Sequence, residues 1–199
     1  MAGPSTPRAT FYFDLGSPYA YLAAERISGL FTEAELEQPE WQPVLLGGLF
    51  KVFGRDSWGN GPGRAAGIAE CERRASAYAL APIVWPDPWP GNMLIAMRAA
   101  TFAKQTGRTV SFSLAAFRQQ FAAGRDLGEP DNVAIAGAAC ELHPRALLKA
   151  VATDLVKGAL REATEAAAAR GVEGVPAVVV GERVFWGDDR LEDAVEAAS

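Results

Sequence analysis

The stretch FYFDLGSPYAYL (11–22) places Ser17 and Pro18 at the point where a strand pattern gives way to a helical one. Serine is a preferred N-cap residue, and proline suits the first helical position because its missing N–H needs no partner there. Such a position lies beside free backbone N–H groups and the positive end of the helix dipole, which favour an anion. We therefore expect Ser17 either to cap the helix only or also to stabilise an anion such as a thiolate.

The sulfur of such a thiolate has to come from another molecule. The two cysteines, Cys71 and Cys140, form no CxxC pair and lie in predicted helices, where they are expected to be buried. The chain is therefore not expected to exchange a dithiol for a disulfide at this position. The same spacing predicts no zinc site and no other metal.

The elements that position Ser17 fall into two groups separated by a helical block. Strand patterns at 9–14 and 40–46 flank a helix beginning at Pro18, and two short strands within 176–186 follow a helix at 154–170 and precede one at 188–198. The predicted helices of the middle block are 64–80, 93–105, 113–123, 132–142 and 144–151.

This order predicts an α/β protein with a thioredoxin-like fold and an all-helical insertion domain. The thioredoxin-like domain would be discontinuous, formed by residues 8–46 and 154–199, and the insertion would span residues 47–153. A chain of 199 residues, 49% of them hydrophobic, is long enough for one such unit with its own core.

Charge and hydropathy narrow the classes of partner. The net charge is −5 and there is no basic block, which argues against nucleic acid and anionic membrane surfaces. The chain contains no apolar run of membrane-spanning length, and its first ten residues lack the apolar segment of a signal peptide. We expect a soluble, cytoplasmic protein.

Two stretches carry a family resemblance. FYFDLGSPYAYL (11–22) and GVEGVPAVVVGERVFWGDDRL (171–191) resemble the terminal signatures of the 2-hydroxychromene-2-carboxylate isomerases, which are related to kappa-class glutathione transferases within the DsbA-like thioredoxin superfamily. The order of elements is similar over nearly the whole chain. The resemblance implies glutathione or another low-molecular-weight thiol as cofactor, a small aromatic carboxylate as substrate, and a possible homodimer.

The resemblance also implies roles for individual residues. Ser17 would stabilise the thiolate of glutathione, and a cis Val175–Pro176 bond would let the Val175 backbone pair with the cysteinyl unit. Asp189, with Asp188, would hold the γ-glutamyl end, and either aspartate could instead cap the last helix.

Further positions have a binding and a structural interpretation. Arg64 stands near the place where relatives have a lysine for the glycyl end of glutathione, and it could equally be a solvated helix charge. Asn92 could touch substrate or cap a helix. The aromatic residues that could wall a pocket for a flat acid, or simply pack a domain junction, are Tyr19, Trp58, Trp85 and Trp89.

The sequence leaves three functions open. The first is a glutathione-dependent cis-trans isomerase, in which reversible thiolate addition turns a double bond into a rotatable single bond before elimination. The second is a kappa-like glutathione transferase with the same thiol site. The third is a non-catalytic thioredoxin-fold binding protein that has lost its CxxC.

Overall fold

A computed structural model describes residues 8–199, which form a four-stranded sheet covered by helices. Most of the segment on which the expectation of no signal peptide rests, residues 1–7, lies outside the described residues. The strands are β1 (Thr10–Phe13), β2 (Glu40–Pro43), β3 (Ala177–Val180) and β4 (Arg183–Trp186), in the sheet order β2-β1-β3-β4. β2 is parallel to β1, whereas β3 and β4 run antiparallel to their neighbours.

The helices follow the predicted order with one addition. In chain order they are α1 (Pro18–Glu33), α2 (Leu46–Phe53), α3 (Arg64–Ala77), α4 (Leu94–Gln105), α5 (Thr109–Phe117), α6 (Pro130–Ala138), α7 (Pro144–Ala150), α8 (Asp154–Ala169) and α9 (Leu191–Ala198). No helix within residues 8–199 combines the length and the apolar character needed to cross a membrane.

Alternation along β1 divides the core between the two faces of the sheet. Phe11 and Phe13 are fully buried on one face, in a large cluster with Trp41 and the helices of the middle block. Tyr12 points to the other face and packs in a smaller cluster that includes Leu49 and Val179. Because successive side chains of a strand point to opposite faces, β1 packs into the core on both sides of the sheet. The strand leads directly into the turn that carries Ser17.

The addition is α2, which the sequence analysis missed because residues 40–46 were assigned to one strand. β2 ends at Pro43, and α2 begins three residues later. Gly47 and Gly48 weaken the helical signal. The second glycine is required by packing, since a Cβ atom on Gly48 would lie 2.9 Å from Cγ2 of Thr164 in α8.

Two other predicted helices differ in form. The helix predicted at 113–123 is α5 followed by a π-helical turn, Arg118–Ala122. The helix predicted at 188–198 begins as a 3-10 turn, Asp188–Arg190, before α9. The predicted boundary between residues 46 and 47 lies inside α2, and the residue before this helix, Leu45, donates a backbone hydrogen bond to Thr164 of α8. The division into two domains stays a prediction.

Candidate active site

Ser17 is the N-cap of α1 and is buried at the floor of a cleft. Its Oγ accepts a hydrogen bond from the Ala20 N–H at 3.2 Å. The same hydroxyl donates to the carbonyl oxygen of Val175 at 3.4 Å. Ser17 therefore does cap the helix, as the capping interpretation expected. The hydrogen bond that its hydroxyl donates to Val175 is long for an O–H···O contact and is therefore weak.

The first turn of α1 contains one backbone donor for which the described chain supplies no acceptor. The Ser17 N–H donates to the Asp14 carbonyl, Pro18 has no N–H, and the Ala20 and Tyr21 N–H groups bond to Ser17. Within residues 8–199 this leaves the N–H of Tyr19 at the positive end of the helix dipole.

The turn before β3 forms the facing wall. The Val175–Pro176 peptide bond is cis, as predicted, and two further cis bonds that were not predicted are Asp87–Pro88 and Trp89–Pro90. The ladder between β1 and β3 ends with Tyr12 opposite Ala177, so the backbone of Val175 lies beyond the last strand pair. Both Val175 and Ser17 line the cleft.

The two aspartates expected at the γ-glutamyl end have different environments. Asp188 is buried, and its carboxylate accepts from Arg74 at 2.8 Å and from the Tyr78 hydroxyl at 2.9 Å. Burial raises the pKa of Asp188, and these two partners oppose that shift. Asp189 keeps 54% of its side chain exposed and lies 3.3 Å from Arg74.

Neither aspartate occupies the N-cap position of the element that follows it: the cap residues of the 3-10 turn and of α9 are Gly187 and Arg190. The negative charge of Asp188 is matched by Arg74, which leaves Asp189 as the accessible carboxylate at this end of the cleft. Sequence reasoning missed Arg74, because its contact with Asp188 spans 114 residues.

Asp14 is a second residue that sequence reasoning missed. It lines the cleft, is almost fully buried, and accepts from the N–H groups of Gly16 at 2.8 Å and Leu46 at 2.7 Å. Burial raises the pKa of Asp14 to about 6, against the lowering effect of the two backbone donors. The side chain thereby ties the Ser17 turn to the start of α2.

The predicted aromatic residues do lie together. Ring centroids are 6.0 Å apart for Tyr19 and Trp58, 4.9 Å for Trp58 and Trp89, and 4.7 Å for Trp85 and Trp89. All of these except Trp85 line the cleft, together with Asn92. Trp85 instead packs against Phe121, which agrees with the interpretation that it packs the structure and does not wall the pocket.

Two of these residues also have structural bonds. The Trp89 indole N–H donates to the carbonyl of Gly16 at 3.2 Å, next to Ser17. Asn92 Oδ1 accepts from the Leu94 N–H at 3.0 Å at the start of α4, so it supports a helix terminus and faces the cleft as well.

Arg64 has a different position from the one expected of a ligand cation. Its guanidinium donates to the carbonyl oxygens of Trp89 and Gly59 and lies 5.2 Å from the Trp89 ring. It is not among the residues that line the cleft. Arg64 therefore packs two loops together, whereas the cations that line the cleft are Lys51, Arg55 and Arg74.

The chain's own thiols are unsuited to nucleophilic work. Cys71 and Cys140 are free and buried, as expected, and burial raises the pKa of Cys71 to about 12. A thiol with that pKa is protonated at neutral pH. Any thiolate chemistry at Ser17 therefore requires a sulfur brought in by a ligand.

Comparison with known proteins places this geometry in a family. A model of the DSBA-like thioredoxin domain matches residues 9–198. The chain belongs to the DSBA-like thioredoxin domain family. Its fold is the α/β, thioredoxin-like one that the sequence predicted.

Individual relatives are similar to this chain over nearly all of its length. The chain is 27% identical over 193 residues to 2-hydroxychromene-2-carboxylate isomerase from Sphingobium xenophagum, covering 94% of this chain and 95% of the relative. A solved 2-hydroxychromene-2-carboxylate isomerase structure superposes with a TM-score of 0.85 at 22% identity, covering 95% of this chain and 93% of the other. DsbA from Pseudomonas aeruginosa gives a TM-score of 0.57 at 16% identity, covering 98% and 83%.

Proposed function

We propose that this protein is a glutathione-dependent cis-trans isomerase acting on 2-hydroxychromene-2-carboxylate or a related aromatic catabolite. Two findings support the reaction class: the end-to-end similarity to an isomerase of that name, and a cleft without a redox cysteine pair. The observation that carries the thiol mechanism is Ser17, a weakly held hydroxyl at a helix N-terminus facing a cis-proline turn.

The residues present fit a small peptide thiol. The unaccepted Tyr19 N–H and the long Ser17–Val175 bond provide two donors that a thiolate can accept. The backbone of Val175, beyond the end of the β1–β3 ladder, can pair with an extended peptide unit. Asp189, whose side chain is 54% exposed, can receive the ammonium of an α-amino acid end.

Glutathione in this position would supply a thiolate that adds reversibly to the conjugated system of the substrate, allowing rotation before elimination. The chain's own contribution is to lower the free energy of that anion and to orient the partners. Ser17 would donate its hydrogen bond to that sulfur in place of the Val175 carbonyl. Trp58, Trp89 and Tyr19 provide apolar walls for a flat aromatic ring.

Titration with reduced glutathione, by calorimetry or tryptophan fluorescence, tests the thiol site. Wild-type protein should bind saturably, and Asp189→Ala should weaken binding roughly tenfold or more, since it removes a charge-assisted hydrogen bond. Asp193→Ala is the matched control, because this half-exposed carboxylate pairs with Arg190 and is not among the described residues that line the cleft. Equal affinity of all three proteins, or no binding by the wild type, would remove glutathione from the mechanism.

A second candidate function is glutathione transfer to a wider range of electrophiles. The observation that favours it is the cleft volume of about 1150 Å³, which is generous for a single small substrate. Reaction with a generic aryl halide distinguishes the two functions: a transferase consumes one thiol per turnover, whereas an isomerase regenerates it.

A further inference from the structure

The backbone that leads into Ser17 is held by a side chain from the helical middle block. The indole N–H of Trp89 donates to the carbonyl oxygen of Gly16 at 3.2 Å, across 73 residues of the chain. Trp89 is only 6% exposed, yet it lines the cleft. One buried side chain therefore reaches both the ligand cleft and the peptide that precedes the active-site serine.

The planarity of the Gly16–Ser17 peptide connects this bond to the Ser17 hydroxyl. On one side of the peptide the Gly16 carbonyl accepts from Trp89, and on the other the Ser17 N–H donates to the Asp14 carbonyl at 3.1 Å. Because a peptide unit is rigid and planar, bonds at both of its polar atoms fix its orientation and the Cα of Ser17. The Ser17 side chain is then held by its capping bond to the Ala20 N–H.

Two methionines of the same block support the same turn. Met97 Sδ accepts from the N–H of Leu15 at 3.2 Å. Met93 packs so closely that a Cβ atom on Gly16 would lie 2.6 Å from its Cγ. Trp89, Met93 and Met97 are spaced four residues apart, and all three meet the turn where α4 and the loop before it approach the sheet. The turn is therefore held from one direction by one short segment.

The Trp89 side chain is itself held on several sides. The Arg64 guanidinium donates to the Trp89 carbonyl oxygen and lies 5.2 Å from its ring. The rings of Trp58 and Trp85 lie 4.9 Å and 4.7 Å from it, centroid to centroid. The indole therefore has little freedom to follow the Gly16 carbonyl, so the hydrogen bond fixes the turn relative to the cleft wall.

We propose that Trp89 is a positioning residue for Ser17: its indole N–H fixes the Gly16 carbonyl and so holds the Ser17 hydroxyl where it can donate to a thiolate. The inference rests on the proposed function for its kinetic consequence, since a misplacement of about 1 Å can cost on the order of a hundredfold in rate. Gly16 lines the cleft, so water can replace the indole at its carbonyl. Loss of the N–H therefore costs the turn its fixed position and leaves no buried acceptor without a partner.

Trp89→Phe tests the proposal, because it removes the N–H and keeps an aromatic ring in the wall. Trp85→Phe is the matched control: its indole donates to Glu72 at 2.9 Å, and it is not among the described residues that line the cleft. Trp58→Phe is the control for ring area lost from the cleft wall. Both control residues pack against Trp89, so they disturb its surroundings without removing the bond to Gly16.

Each protein is measured in two ways. Hydrogen–deuterium exchange of residues 14–20 reports the order of the turn without a ligand, and a pH titration of the thiolate absorbance of bound glutathione reports the pKa of its thiol. Trp89→Phe should raise exchange several-fold, raise that pKa by about 0.5–1, and lower kcat roughly three- to tenfold with a smaller change in KM. Trp85→Phe should leave all of these unchanged, and Trp58→Phe should raise KM alone.

Met97→Leu provides a second test that does not alter the cleft wall. Leucine has a similar volume and lacks the sulfur that accepts from the Leu15 N–H, so the core is kept while the turn loses a bond. It should change exchange and the thiol pKa in the same direction as Trp89→Phe.

The two measurements separate this inference from the proposed function. If Trp89→Phe exchanges as the wild type does, or if exchange rises while the thiol pKa and kcat stay unchanged, the inference is overturned. If the wild type neither binds glutathione nor isomerises the chromene, but Trp89→Phe still loosens the turn, the proposed function fails and the positioning of the Ser17 turn by Trp89 stands.

Discussion

The Ser17 hydroxyl meets the Val175 carbonyl oxygen at 3.4 Å, although 158 residues separate the two in the chain. The contact joins the N-terminus of α1 to the turn that precedes β3. Because the bond is longer than the usual O–H···O distance, the hydroxyl could redirect its hydrogen bond to a bound sulfur at little cost.

Ser17→Ala should therefore lose activity as well as stability. Removing the cap lowers the free energy of unfolding by about 1 kcal/mol, and removing the donor to a thiolate lowers kcat by roughly ten- to a hundredfold. Thr153→Ala removes the cap of α8, a 3.4 Å bond to the Val156 N–H away from the cleft. It should cost similar stability and leave kcat intact. Full activity of Ser17→Ala at saturating glutathione would refute the role of Ser17.

Arg74→Met tests the pairing that leaves Asp189 accessible. The change strands the buried Asp188 carboxylate, and we expect the free energy of unfolding in urea to fall by about 3 kcal/mol. Arg73→Met is the control, since Arg73 pairs with Glu70 and is 65% exposed; its loss should cost about 0.5 kcal/mol. Combining Arg74→Met with Asp188→Asn should recover part of the loss, whereas strictly additive effects would mean that the two side chains are not coupled.

Asp14 should make the free energy of unfolding depend on pH. Its pKa is raised from 3.8 to about 6 by burial, so between those values the folded protein binds more protons than the unfolded chain. The free energy of unfolding therefore falls as pH rises through this window, by up to about 3 kcal/mol. Asp14→Asn does not titrate and should gain stability relative to the wild type from acid to neutral pH. Parallel stability curves for the two proteins would contradict the shift.

Gly67→Ala should disturb the aromatic wall. Helix interiors normally gain about 1 kcal/mol when glycine becomes alanine, but a Cβ on Gly67 would lie 2.3 Å from Cζ3 of Trp58. We expect a lower Tm and an altered tryptophan emission spectrum. Gly29→Ala in α1 meets nothing within 4 Å and should raise Tm. A rise in Tm for both variants would mean that Trp58 does not pack against α3 as described.

The sequence predicted those parts of the fold that depend on local pattern. Ser17–Pro18 marked the start of α1, and alternation around Gly181 marked β3 and β4. The helix α2 was missed because two glycines conceal it, and the need for Gly48 lies in its packing against Thr164. The terminal signatures indicated the DsbA-like thioredoxin superfamily, and the match over residues 9–198 shows the DSBA-like thioredoxin domain family.

The candidate site was predictable only where a motif carried it. Ser17, Val175 and Asp189 line one cleft, as their motifs implied. Tertiary contacts decide which cations line that cleft. Arg64 donates to two carbonyl groups and does not line it, whereas Arg74 does, and its partner Asp188 is 114 residues away in the chain. Single side chains of this kind leave no local periodicity from which they could be inferred.

The most direct test is isomerisation of 2-hydroxychromene-2-carboxylate, followed by absorbance with and without catalytic amounts of reduced glutathione. The account predicts a rate that rises with glutathione, saturates, and leaves the total thiol concentration unchanged at completion. A rate independent of thiol, or one thiol consumed for each substrate converted, would contradict it.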